Sequence, residues 1–155
     1  SVLVRQQSDT CDSQQLTVNQ FLPSFKWYPS TVCCSDEKDT KLDATNPTHI
    51  FAYGGFRVSL TPSYSGSYED LNGAYGKAWL NRRGVYIIAY IRGGGEYRPA
   101  LHCVALLEHR HKAFEDLESI AEDLFKRKIT SSKHLVIEGL SNGGLLVVTT
   151  MGAAI

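Results

Sequence analysis

Three apolar runs of β type, HIFAY (49–53), VYIIAYI (85–91) and HLVIEGL (134–140), are separated by stretches of helical character. Each is apolar on both faces, as buried parallel strands are. Between the second and third, Ala113, Phe114, Leu117, Ile120, Ala121, Leu124 and Phe125 recur at helical spacing. Lys112, Glu115, Glu118, Glu122 and Asp123 fall on the other faces, so this segment reads as an amphipathic helix packed on a sheet. A shorter helix over 74–81 fits between the first two runs. Alternating strands and helices lead to an α/β fold with central parallel strands and flanking helices.

The third run ends in Gly139-Leu140-Ser141-Asn142-Gly143-Gly144, and LLVVTTMGAAI follows as a buried helix. This is G-x-S-x-G in the context the motif requires, a strand, a sharp turn and a helix. The turn lifts the Ser141 hydroxyl above the strand ends, and the helix start offers backbone N–H groups to an oxyanion. The N–H of Asn142 is the expected donor. A Gly-rich turn also holds a serine by chance, so the motif alone is only moderately specific. Phosphate binding is set aside, because GLSNGG lacks the Gly-Lys-Ser/Thr ending of a P-loop and RGGGEYR (92–98) has Arg98 where a dinucleotide fingerprint needs its last glycine.

The 155 residues suffice for one domain. Lysine plus arginine (16) balances aspartate plus glutamate (16), which gives no field to steer nucleic acid or an acidic membrane surface to the chain. No apolar leader or membrane-length apolar run is present, and no membrane partner is expected. Cys33 and Cys34 are adjacent, Cys11 and Cys103 stand alone, and no spacing matches a metal or redox motif. They read as free thiols in a reducing compartment, hence a cytoplasmic location. The lack of an initiator Met and the stop at Ile155 lead us to expect that neither end is natural.

PTHIFAYGGF (47–56), TPSY (61–64), GKAWLNRRGVYIIAYIRGGGEY (76–97), HRHKAFEDL (109–117), AEDL (121–124) and TSSKHLVIEGLSNGGLLV (130–147) resemble the prolyl oligopeptidase family of serine peptidases, in its order and at about its spacing. YGGF, IRGGGE and SNGG together are far more specific than the serine turn. The resemblance implies a partial α/β-hydrolase fold, with residues 49–155 as the front part of a catalytic domain whose C-terminal part is missing. Residues 1–48 match poorly and stand as a lead-in, an interdomain connection or first strands, and their short apolar pieces around 16–22 and 25–28 read as two short strands. SDEKDTKLDATNP (35–47) reads as a surface connection.

The same resemblance implies Ser141 as nucleophile, Asn142 as backbone oxyanion donor, Tyr53 as the hydroxyl donor and Phe56 as an aromatic lining the pocket for proline. It implies short peptides as substrate, no cofactor or metal, and a β-propeller domain in the parent protein. Leu140, Arg98 and Ser132 depart from the family's usual small residue, glycine and proline. After Ser141 there is no acid and no histidine, whereas the α/β-hydrolase triad runs Ser, Asp or Glu, His. The chain alone is therefore expected to be inactive. His49, His102, His109, His111 and His134 are poor substitute bases, and Asp70, Glu115, Asp116 and Glu122 read as solvated charges on helix faces. Glu96 reads as a carboxylate that orders its loop. An esterase or acylaminoacyl hydrolase on the same scaffold, or a non-catalytic truncated product, stand as the alternatives.

Overall fold

The computed structural model describes residues 41–60, 79, 84–96 and 102–152 in full, and 16–21, 31–37 and 153 as backbone. Five strands form one sheet: β1 (Leu16–Phe21), β2 (Thr31–Glu37), β3 (Thr48–Ala52), β4 (Val85–Tyr90) and β5 (Leu135–Glu138). Their order across the sheet is β1-β2-β4-β3-β5. β3 pairs in parallel with β4 on one side and β5 on the other, Ile50 lying beside Ile87 and Ile137. β2 runs antiparallel to both β1 and β4. The expected parallel centre is present, and it carries an antiparallel margin contributed by the first part of the chain. Ser35, Asp36 and Glu37 belong to β2 rather than to a surface connection.

Residues of β3 and β4 alternate between two packed faces, as a period of two dictates. Ile50, Ala52, Val85, Ile87, Ala89 and Ile91 form one core with Ala113, Leu117, Ile120, Leu124 and Leu146 from the helices. On the other face Phe51, Tyr86, Ile88 and Tyr90 pack with Leu60, Tyr53 and Trp79. β5 differs from the reading of its run, because its residues alternate between half-buried and exposed. It has β3 on one side alone among the described residues, so one of its edges lacks a covering neighbour.

Helix α1 (His111–Lys126) carries the predicted stripe, with Ala113, Leu117, Ile120 and Leu124 fully buried. Asp116 and Asp123 are buried as well, which corrects the reading of Asp116 as solvated. Arg92 lies against Asp116, and Arg127 donates to Asp123 one turn on at 2.6 Å. A buried carboxylate persists in such a place only when paired. Helix α2 (Asn142–Ala153) follows the serine turn directly and buries Leu146 against the sheet. The segment expected as a helix over 74–81 lies outside the described residues except for Trp79, which is helical and donates its indole N–H to the Val85 carbonyl at 3.0 Å. Arg98 also lies outside them. No described helix is long and apolar enough to cross a membrane.

Candidate active site

The chain passes from β3 to β4 on one side and then to β5 on the other, so β3 marks the point where strand order reverses. Crevices in α/β sheets open at the carboxyl ends of strands flanking such a point. Three loops meet there: 53–58 after β3, 91–96 after β4, and 139–142 after β5.

Ser141 occupies the third loop with φ of +54°. A side chain in this left-handed region is strained by roughly 1–2 kcal/mol, so the surroundings must hold it there. Two glycines make that possible. A Cβ on Gly139 would lie 2.2 Å from the Gly143 carbonyl, and one on Gly143 would lie 2.4 Å from the Ala52 carbonyl oxygen. Only bare backbone lets the strand, the turn and the helix start approach so closely. Leu140 between them is 59% exposed and turns its bulk to solvent, so a large residue there does not obstruct the turn. The Gly143 N–H donates to the Leu140 carbonyl at 2.8 Å and the Leu145 N–H to the Ser141 carbonyl at 3.3 Å, which starts α2 at the serine. Asn142 is the first residue of that helix, so its N–H has no intrahelical carbonyl to serve.

The loop after β3 is tied to this turn. The Asn142 side chain donates to the Tyr53 carbonyl at 2.7 Å, and Arg110 donates to the Gly54 carbonyl and, at 2.9 Å, to the Asn142 amide oxygen. Phe56 and Arg57 follow with φ of +51° and +57°. Phe56 is 75% exposed and borders an open cleft of about 370 Å³, lined also by His102, Leu106, Leu107, Arg110 and Asn142. Tyr53 is half-buried, its ring against the aromatic face of the sheet.

The residues that match a family model described as the prolyl oligopeptidase family are 74–154, more than half of the chain and inclusive of the serine turn. The chain belongs to the prolyl oligopeptidase family. It is 46% identical over 114 residues to the uncharacterized peptidase y4nA of Sinorhizobium fredii, covering 74% of this chain and 15% of that protein. It is 37% identical over 117 residues to the prolyl endopeptidase of Elizabethkingia miricola, covering 76% and 16%. A solved structure of a post-proline cleaving enzyme from Rickettsia typhi superposes with a TM-score of 0.83 at 36% identity, over 96% of this chain and 21% of that one. The chain thus spans about a fifth or less of the length of these relatives. The sheet and its helices are those of the family's α/β-hydrolase catalytic domain.

Within this family framework the loop after β4 is built around two carboxylates. Asp116 accepts from the Arg92 N–H at 2.8 Å and from its guanidinium at 2.7 to 3.0 Å. Burial opposes the Arg92 charge, but the hydrogen bonds and attraction of Asp116, aided by Glu115, hold that guanidinium above its ordinary value. Glu96 accepts from the Leu60 N–H at 2.9 Å, which ties the loop after β4 to the chain beyond Phe56. The expected loop-ordering role of Glu96 has this contact behind it. Its Oε2 is buried with no hydrogen-bond partner among the described residues, and burial pushes the carboxyl above its ordinary value.

Of the histidines, His102 alone lines the cleft. His102 lies with Nδ1 2.8 Å from the Gly93 carbonyl, which can only accept, so Nδ1 carries the proton. His49 has Nε2 2.8 Å from Glu138, close enough to attract but without the alignment of a hydrogen bond, and its ring meets Trp79 and Tyr86 edge-on. Burial lowers the His49 pKa, an effect Glu138 opposes. His109 and His111 are exposed beside Glu108. His134 precedes β5, at the end opposite Ser141.

Sequence reading missed Arg110 and the side chain of Asn142 as parts of the site. Arg110 lies within the matching segment HRHKAFEDL, which by itself gives the arginine no role. Its role appears only when residues 56 and 32 positions away are brought to it.

Proposed function

We propose that this chain carries the nucleophile and oxyanion half of a serine peptidase site that cleaves short peptides after proline. The observation that carries this reading is Ser141 held at positive φ between two facing glycines at the head of α2, in a chain of this family. Ser141 attacks the scissile carbonyl, its hydroxyl proton passing to a histidine base. The negative charge developing on the carbonyl oxygen is met by the Asn142 N–H and the Tyr53 hydroxyl. Collapse expels the amine, which takes that proton back from the histidine, and leaves an acyl-enzyme ester on Ser141 that water then hydrolyses.

Phe56, exposed over the cleft, offers an aromatic face to the substrate proline. The acid and the histidine base lie outside these 155 residues, as does a β-propeller that restricts substrates to short peptides. The isolated chain is inactive, residues 1–48 serve as the lead-in to the catalytic domain 49–155, and the free thiol of Cys103 suits a cytoplasmic location. Relatives named prolyl endopeptidases support peptide rather than simple ester hydrolysis. The test compares a prolyl amide with a simple ester as substrates of the intact peptidase. The amide is expected to be hydrolysed efficiently, with Ser141→Ala lowering kcat by about 10⁴-fold or more. Retention of amide hydrolysis by Ser141→Ala, or hydrolysis of the ester alone, contradicts the reading.

A further inference from the structure

We propose that Arg110 is a positioning residue for acyl transfer, clamping the loop that bears Tyr53 to the turn that bears Ser141. The inference rests on the roles given above to Ser141, Tyr53 and the Asn142 N–H.

Arg110 stands at the entry to α1, an element that supplies no group to the proposed chemistry. One arm of its guanidinium donates to the Gly54 carbonyl, and the other donates at 2.9 Å to the Asn142 side-chain oxygen. The Asn142 side-chain nitrogen in turn donates to the Tyr53 carbonyl at 2.7 Å. Arginine has only donors and a carbonyl only accepts, so one orientation of the Asn142 amide satisfies both contacts. A planar fork reaches two acceptors at once, which a lysine ammonium does less well. Gly55 leaves no room for anything else, since a Cβ there would lie 2.4 Å from the Asn142 amide.

The clamp therefore joins the two backbone segments that carry the oxyanion donors, Tyr53 and Asn142. With both arms so occupied, Arg110 is a brace for the loop rather than a substrate ligand. It is not among the buried core residues of either face of the sheet, and besides the clamp its loss gives up a contact with the Phe114 ring, 5.9 Å away. What it removes is the fixed distance between the donors. Displacement of a reacting group by about 1 Å costs up to roughly 10²-fold in rate.

The test is a double-mutant cycle in the intact peptidase, with kcat and KM measured on a prolyl amide and Ser141→Ala as control. Tyr53→Phe is expected to lower kcat by about 10²-fold. Arg110→Met is expected to lower it by roughly 10- to 100-fold with KM within about threefold, and the double variant to lose little beyond Tyr53→Phe. Arg110→Lys, which keeps the charge, completes the same cycle if Arg110→Met does not fold. An unchanged kcat in the Arg110 variant, a loss confined to KM, or losses that multiply in the double variant overturn the clamp. So does a Tyr53→Phe variant with full kcat. Hydrolysis retained by Ser141→Ala overturns the serine-peptidase reading itself, whereas an inactive Ser141→Ala beside an indifferent Arg110 variant overturns the clamp alone.

Discussion

At the scale of single residues, the conformation of Ser141 is maintained by what its neighbours lack. Gly143→Ala would push a methyl into the Ala52 carbonyl 2.4 Å away. Such overpacking costs typically about 1–3 kcal/mol, so a matching fall in denaturant midpoint together with lost hydrolysis is expected. Glu96 gives a pH signature. Its carboxyl is held above 4.5, so between that value and its raised folded value the native state binds more protons than the unfolded one. Stability therefore falls as pH rises through this window. Thermal unfolding compared across it should show this decline in the native protein and a smaller one in Glu96→Gln. A variant declining just as steeply would contradict the assignment. The serine turn was legible because its motif encodes local backbone geometry. Arg110 and Asp116 were not, because a charge near a helix reads as solvated until a partner distant in sequence is folded onto it.

Elements were legible in proportion to how completely they are buried. β4 is buried at every position, and its apolar run located it to within a residue. β5 is covered only at alternate positions, so its run suggested more burial than it has. The pairing of β2 with β4 sets Thr31 beside Tyr90, a long-range choice that local pattern does not encode. In α1 the apolar stripe was clear, whereas Asp116 beside it was misread. Leu117→Ala is expected to cost about 2–5 kcal/mol and Asp116→Ala about 3–5 kcal/mol, the latter because it strands the Arg92 charge. Glu118→Ala, on the exposed face, is expected to stay within about 0.5 kcal/mol. Urea unfolding of the three variants checks this ranking, and an Asp116 variant as stable as the Glu118 one would show the pair to be dispensable.

At the scale of the whole molecule, the strand order places three loops at one end of the sheet and leaves an apolar surface at one side. Val136, Leu140, Leu145, Val148 and Met151 are exposed along β5 and α2. Together with the absence of any acid or histidine after Ser141, this surface motivates the expectation that the 155 residues alone hydrolyse a prolyl amide no faster than background. The central claim is narrower, that Ser141 is the nucleophile, and it is tested most directly by covalent capture. The intact peptidase would be treated with a fluorophosphonate and the adduct located by peptide mass mapping. One adduct, on the peptide that contains Ser141, with loss of hydrolysis in proportion to labelling, is the predicted result. An adduct on a different serine, or full hydrolysis after Ser141 is labelled, would contradict it.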